Sequence, residues 1–197
     1  SVPSFEFRYL HNLLGRQITQ KRSAQEQTIE LTTVLQQADQ GFADANTDVQ
    51  RVFPVSRGEL FKYDVVLFGD VDPTDLGKLE MENIADFVKV RGGGIVFIAG
   101  PRFTPLAYRD TPLSELFPID LASASIPPSQ EDLTKSFRVR PTRLGMTSAH
   151  MQLGDTASES AKIWQQMEGI FWLLEAPDLR SGARVLATHP TRTGTTG

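Results

Sequence analysis

Two runs of consecutive apolar residues, separated by a segment with helical periodicity, dominate the middle of the chain. The runs are residues 64–69 (DVVLFG) and 95–99 (IVFIA), and residues 79–91 lie between them. The apolar positions of that middle segment recur on one side of a helix: Met81, Ile84, Phe87 and Val88. The triplet 92–94 (GGG) ends the helix. Strand, helix and strand in this order predict a βαβ unit, and uninterrupted apolar runs are typical of parallel strands covered on both faces.

Weaker patterns predict further elements on either side of this unit. The predicted helices are Ser4–Arg16 and Ser158–Met167, with a helical turn at Thr111–Phe117. The predicted strands are Thr28–Leu35, Phe137–Arg140 and Arg184–Thr188. Polar segments without a sustained period predict loops at Gln36–Arg57 and Ala122–Ser136. In the second helix, Ala161, Trp164 and Met167 are expected to face inward.

The composition is that of one globular domain. The chain has 197 residues, of which 40% are hydrophobic and 22% charged. We predict a single α/β domain over residues 1–190 and a flexible tail at 191–197 (TRTGTTG). No apolar run reaches the ~20 residues that span a bilayer, and the first residues show no signal-peptide pattern. We therefore expect a soluble segment of a larger protein, whose compartment the sequence leaves open.

Charge and cysteine content exclude several classes of function. The formal net charge of −4 argues against a nucleic-acid partner, because phosphate binding needs clustered basic residues. The one basic cluster, Arg138, Arg140 and Arg143, is interpreted as a solvated strand edge. The chain has no cysteine, so disulfides, thiolate nucleophiles and cysteine-bound zinc are all excluded.

Three blocks of sequence resemble a bacterial group of glutamine amidotransferase-like domains. They are residues 5–10 (FEFRYL), residues 59–73 (ELFKYDVVLFGDVDP) and the stretch 87–102, which runs from Phe87-Val88 to Ala99-Gly100-Pro101-Arg102. The resemblance implies the flavodoxin-like three-layer sandwich of the class I superfamily, with a mostly parallel sheet. It also implies a parent protein with membrane-spanning segments, so that partners would be other domains or proteins of a membrane-associated assembly.

The resemblance locates the family's catalytic positions and shows that they are degenerate. That family places a cysteine nucleophile on a tight turn after a buried strand, and a His-Pro-Glu element further along supplies the base and its carboxylate. Here the nucleophile position falls on Ala99 or Gly100, neither of which has a usable side chain. His189 and Pro190 match two residues of the second element, but Thr191 stands in place of glutamate. Glutamine amidotransferase chemistry is therefore excluded.

Four residues form a candidate ligand-binding site where the two apolar strands end. Asp70 and Asp72 follow the first strand, and Gly100 and Arg102 follow the second. Ligands of open α/β sheets bind at such strand ends, and the carboxylates would suit a hard cation or sugar hydroxyls. The structural alternative is that Asp72 caps the next helix while Asp70 accepts hydrogen bonds from loop N–H groups. Arg102 either binds an anionic ligand or pairs with one of these acids.

His150 is the remaining candidate site residue. Ser148 and Asp155 lie nearby in sequence and complete the residue types of a hydrolase triad, but closeness in sequence does not establish triad geometry. A surface or pocket histidine without a catalytic role is the alternative interpretation.

The sequence thus leads to two hypotheses of different class. The first is a non-catalytic, amidotransferase-like binding or scaffolding domain, for which we assign no catalytic residue, metal or cofactor and leave a small-molecule ligand open. The second is a cysteine-independent hydrolase or carbohydrate-active enzyme that uses Asp70, Asp72 and His150, with or without a metal ion.

Overall fold

The computed structural model describes residues 9–14, 30–34, 49–50, 53–54, 56–127 and 136–191. The chain divides into two compact units. The first comprises residues 1–69 and 73–96, and the second comprises residues 70–72 and 97–197. The single domain over residues 1–190 stays a prediction.

The described residues form short strands and helices in mixed order. The strands are β1 (Thr33–Val34), β2 (Val49–Gln50), β3 (Val65–Phe68), β4 (Gly94–Phe97), β5 (Arg140–Pro141) and β6 (Ala187–Thr188). The helices are α1 (residues 9–14), α2 (Arg57–Leu60), α3 (Lys78–Lys89), α4 (Arg143–Thr147) and α5 (Ala157–Gln166). Single 3-10 turns lie at Pro73–Asp75, Leu106–Tyr108, Ser114–Leu116 and Ala149–Met151. The chain is therefore an α/β protein.

The first unit contains the predicted strand–helix–strand unit. β3 and β4 are neighbours in one sheet, and α3 lies between them in sequence. The N–H of Gly94 donates to the carbonyl of Asp64 at 2.9 Å, which places the starts of the two strands side by side, as a parallel pair requires. A second pair, β1 with β2, is parallel. Among the described residues of this unit, Leu60, Ile84 and Phe87 have fully buried side chains and form its core.

Glycines end helix α3 for a geometric reason. Gly92 has a φ of +79°, a backbone conformation that residues other than glycine rarely adopt. The N–H of Gly93 donates to the carbonyl of Phe87 at 2.9 Å. A Cβ on Gly93 would overlap the ring of Phe87. The predicted helix stop is confirmed, and its central glycine also makes room for a core aromatic ring.

The two central strands differ from the prediction in one respect. Along β3 and β4 the exposure alternates, and Val65, Leu67 and Val96 are exposed by 54%, 42% and 48%. Alternate residues of a strand point to opposite faces of the sheet. One face of β3 and β4 is therefore exposed, although the continuous apolar runs predicted cover on both faces.

The second unit is organised around aromatic side chains. Tyr108, Leu113 and Phe117 are buried, and the ring of Phe117 stacks on that of Phe97 with centroids 4.0 Å apart. Arg109 fastens the following loop, because its guanidinium donates to the carbonyls of Leu121 and Ala124, both at 2.8 Å. The predicted helical turn over residues 111–117 is present only as the 3-10 turn Ser114–Leu116.

Backbone pairing joins distant segments in the C-terminal part of this unit. β5 and β6 are antiparallel, and isolated antiparallel bridges join Ile119 to Leu179, Ser125 to Glu175 and Phe137 to Ile170. The predicted strands 137–140 and 184–188 are thus shorter than expected. Helix α5 begins with a capping box in which Thr156 and Glu159 each bond the other's backbone N–H.

Several other sequence predictions are corrected or only partly covered. Met167 is 38% exposed and follows α5 as its C-cap, so its expected inward position is wrong. The predicted loop 36–57 is wrong at Val49–Gln50, which form strand β2. These two residues are a strand because they pair with β1, and a two-residue strand is too short to give a pattern in the sequence. The ends of the predicted elements 4–16 and 28–35, much of the loop 122–136 and residues 192–197 lie outside the described residues.

Candidate functional site

The carboxylate of Asp70 is held by the backbone of a single turn. Asp70 lies two residues after β3, and residues 100–104, hereafter the carboxylate turn, follow β4. Its Oδ1 accepts from the N–H groups of Phe103 and Thr104, both at 2.8 Å, and its Oδ2 accepts from the N–H of Arg102 at 3.3 Å. The side chain is 17% exposed. The expectation that Asp70 bonds loop N–H groups is confirmed.

Arg102 adds a side-chain contact to the same carboxylate. Its Nε lies 3.5 Å from Oδ2 of Asp70, so the internal pair considered from sequence is present. The arginine side chain is 65% exposed and its guanidinium also lies 5.4 Å from the ring centre of Phe103. Because exposed ion pairs are worth little, the backbone N–H groups rather than this pair hold Asp70.

Gly100 makes room for the carboxylate. The residue is buried, and a Cβ at this position would overlap the carboxyl group and Cβ of Asp70. Its own N–H donates to the carbonyl of Thr104 at 2.8 Å and closes the turn. Ala99, the other candidate for the degenerate nucleophile position, is exposed. The space that a nucleophile at position 100 would need is thus filled by Asp70.

Asp72 is half-buried and directly precedes the 3-10 turn Pro73–Asp75. The N-cap of α3 is Gly77, which contributes no side-chain cap. Asp72 therefore precedes a short turn, and the long helix of this region begins six residues later, at Lys78.

The residues around His150 are not arranged as a triad in the described structure. His150 is exposed on the 3-10 turn Ala149–Met151, and Asp155 is exposed as well. The hydroxyl of Ser148 donates to the carbonyl of Leu144 at 2.9 Å, one helical turn earlier. No hydrogen bond described in this segment joins Ser148, His150 and Asp155.

The His189-Pro190-Thr191 element has a geometry that opposes general-base catalysis. The backbone N–H of Thr191 donates to Nδ1 of His189 at 3.2 Å, and the ring lies 4.2 Å from that of Phe137. A backbone N–H can only donate, so Nδ1 accepts, and in the neutral ring the proton is on Nε2. A triad histidine needs the opposite tautomer, with Nδ1–H bonded to a carboxylate and Nε2 free to take a proton.

One arginine of the basic cluster, Arg138, binds the C-terminal end of helix α5. Nε of Arg138 donates to the carbonyl of Met167 at 2.7 Å, at the C-terminal end of α5. A cation at that end also complements the helix dipole. Arg140 and Arg143 are exposed, in agreement with a solvated edge.

Sequence reasoning missed Tyr108 as a partner of this region. Its side chain is completely buried, and its hydroxyl donates to the carbonyl of Val71 at 2.9 Å, one residue after Asp70. No periodic signal marks this tyrosine, because it lies in a segment that prolines divide into short turns. A lone tyrosine between prolines was the only available hint.

Within the described ranges, no three histidine, aspartate or glutamate side chains gather in a way that could hold a metal ion. No described helix has the length and apolar character to cross a membrane. No protein-family model, curated protein or solved structure matches this chain.

Proposed function

We propose that this chain is a non-catalytic, amidotransferase-like binding or scaffolding domain of a larger, membrane-associated bacterial protein. The observation that carries the non-catalytic part is the packing of Gly100 against Asp70. No side chain fits at position 100 while Asp70 occupies the carboxylate turn, and Ala99, the other candidate for the nucleophile position, has only a methyl group. The larger, membrane-associated parent rests on the resemblance of residues 59–73 and 87–102 alone.

The tautomer of His189 supports the same proposal from a second position. With Nδ1 accepting from Thr191, the neutral ring carries its proton on Nε2 and cannot take one there. Gly100 and His189, two of the positions at which the resemblance would locate catalytic groups, thus have local structural roles.

The alternative of a cysteine-independent hydrolase has less support. Asp70 already accepts three N–H bonds and contacts Arg102, so few of its lone pairs remain for a metal ion or sugar hydroxyl. His150 is exposed and is not joined to Ser148 or Asp155. Metal analysis of the purified domain discriminates the two hypotheses. A stoichiometric divalent ion that is lost in Asp72→Ala would favour the enzyme.

The finer fold proposal is the flavodoxin-like three-layer sandwich. Its strand order, 2-1-3-4-5, contains the two described pairs, β2 with β1 and β3 with β4. The exposed face with Val65, Leu67 and Val96 is the face that a further helical layer would cover. Nuclear Overhauser contacts between the backbones of β1 and β3 test this order. Their absence in the folded protein, with the β3–β4 contacts present, would contradict it.

The catalytic question is tested with the purified chain and glutamine. We expect no ammonia release above the buffer blank, because neither a nucleophile nor a competent base is in place. His150→Ala and His189→Ala serve as controls for contaminating activity. Hydrolysis that disappears in either variant, while both remain folded, would overturn the proposal.

The binding question is tested by thermal-shift measurements with metals, nucleotides, amino acids and sugars. A stabilising compound that loses its effect in Arg102→Ala or Asp72→Ala would identify a small-molecule site near the carboxylate turn. If no compound stabilises the protein in this way, protein partners are favoured. A pull-down with the immobilised domain would then identify them.

A further inference from the structure

The carboxylate turn presents three consecutive backbone N–H groups to one anion. The donors belong to Arg102, Phe103 and Thr104, and all three point at the carboxylate of Asp70, which is more than 30 residues away in sequence. Successive N–H groups that converge in this way form an anion-binding concavity, and hydrogen bonds to a charged acceptor are stronger than neutral ones.

The donors are fixed by contacts other than those to Asp70. The N–H of Gly100 bonds the carbonyl of Thr104, and the N–H of Ala107 bonds the carbonyl of Phe103, both at 2.8 Å. Thr104 and Pro105 are fully buried. The turn therefore has support of its own on both sides, and its donors are expected to stay in place when the bound carboxyl group is removed.

The geometry of the turn favours a carboxylate over larger anions. One oxygen takes two N–H bonds and the other takes one N–H and the Arg102 side chain, which matches a planar group with two oxygens. Gly100 leaves room for the Cβ and carboxyl carbon of such a group, but a Cβ of its own would already collide with them. A tetrahedral phosphate has two additional oxygens that would need space there.

We infer that the carboxylate turn is a carboxylate-binding site in its own right, occupied in the intact chain by Asp70. A small free monocarboxylate, such as acetate or formate, takes the site when the Asp70 side chain is shortened. This inference concerns the turn alone and does not depend on the proposed function. Because the side chain of Arg102 is exposed, the ligand is expected to enter the site beside this residue.

The test uses the full chain with Asp70→Ala, which leaves the space of the carboxyl group empty. Thermal unfolding is followed in sodium acetate, sodium formate and sodium chloride at equal ionic strength, with acetamide as a neutral analogue of acetate. At acetate concentrations ten times its dissociation constant, the unfolding midpoint of Asp70→Ala should rise by about 4 °C over that in chloride. Acetamide should give no rise.

Two controls isolate the site. Wild-type protein should show the same midpoint in acetate and chloride, because its site is occupied. Asp110→Ala removes an exposed aspartate from the same unit and should also show no difference between the two salts.

A second variant keeps the test decisive where Asp70→Ala is too unstable to fold. Asp70→Gly removes Cβ as well and leaves more room for formate or acetate, and its folded fraction is measured by circular dichroism in the same salts. Folding or stabilisation specific to carboxylates in either variant supports the inference. Equal behaviour of both variants in acetate and chloride, whether folded or unfolded, would overturn it.

Discussion

The carboxylate turn and the segment that carries His150 and His189 differ in the range of their side-chain hydrogen bonds. Both regions were candidate sites because they contain polar residues that can bind ligands or take part in catalysis. Asp70 bonds partners 32 to 34 residues away, so its contacts exist only in the folded chain. The hydroxyl of Ser148 bonds a carbonyl four residues away, and Nδ1 of His189 bonds an N–H two residues away. Local side-chain bonds of the second kind form in many peptides without any tertiary fold.

This difference shows which polar groups the fold depends on. The bonds of Asp70 join two separate segments of the second unit, whereas those of Ser148 and His189 only shape the chain on which they lie. Residues of catalytic type are therefore a poor guide to function here until the sequence separation of their contacts is known. If this comparison holds, a substitution that displaces Asp70 from the backbone N–H groups of the turn should destabilise the protein more than a substitution in the C-terminal segment.

The largest effect is expected for Gly100→Ala. The added Cβ would overlap the Asp70 carboxyl group and displace it from three N–H donors, which should lower the free energy of unfolding by about 3 kcal/mol. Gly58→Ala is the matched control, since no atom lies within 4 Å of a Cβ there. Chemical denaturation measures both. Equal stability of the two variants would mean that the turn does not depend on this packing.

A smaller loss is expected for Tyr108→Phe. The substitution keeps the buried ring but removes the hydroxyl that donates to the carbonyl of Val71, so that this half-buried residue loses a hydrogen bond. We expect a decrease of about 1.5 kcal/mol in the free energy of unfolding. Tyr63→Phe, at a half-buried tyrosine of the first unit, is the control. A change within about 0.5 kcal/mol for Tyr108→Phe would show that this bond adds nothing to the Asp70 segment.

Thr156→Ala tests how much a local contact of the C-terminal segment contributes to the free energy of unfolding. It removes the side-chain half of the capping box at the start of α5, and loss of such a cap decreases stability by about 1 kcal/mol. Ser158→Ala, at an exposed position of the same helix, should change stability very little. A loss for Thr156→Ala that exceeds the loss for Gly100→Ala would reverse the comparison.

Arg102→Ala is expected to have the smallest effect. Its ion pair with Asp70 is 3.5 Å long and its side chain is 65% exposed, so the loss should stay below about 0.5 kcal/mol. The backbone N–H of residue 102 is retained in the variant and continues to bond Asp70. A loss comparable to that of Gly100→Ala would show that the guanidinium, and not the backbone, holds the carboxylate. The comparison of unfolding curves in low and high salt separates the electrostatic part.

The sequence predicted the features that depend on local pattern. The βαβ order and the glycine stop after α3 follow from periodicity and from the conformational freedom of glycine, and both are confirmed. The structure confirms that Asp70 accepts hydrogen bonds from loop N–H groups, whereas ligand binding at this residue stays a proposal. The α/β class is confirmed, whereas the three-layer arrangement stays a proposal.

Features that depend on tertiary approach could not be predicted. The collision at Gly100 exists only because Asp70 is brought to it from another strand end, and no spacing rule encodes that contact. The short strand β2 has two residues, too few for a period. The exposed face of β3 and β4 escaped prediction because an apolar run has the same sequence whether or not both of its faces are covered.

The packing of Gly100 against Asp70 has a consequence for how this chain can change by mutation. A side chain at position 100 becomes acceptable only after residue 70 has been shortened, so the two positions are epistatic and the order of substitution matters. A library that varies position 100 alone will recover glycine and little else. Only a library that varies both positions together can reach a nucleophile on this turn, and the shortest route passes through a variant with a small residue at position 70.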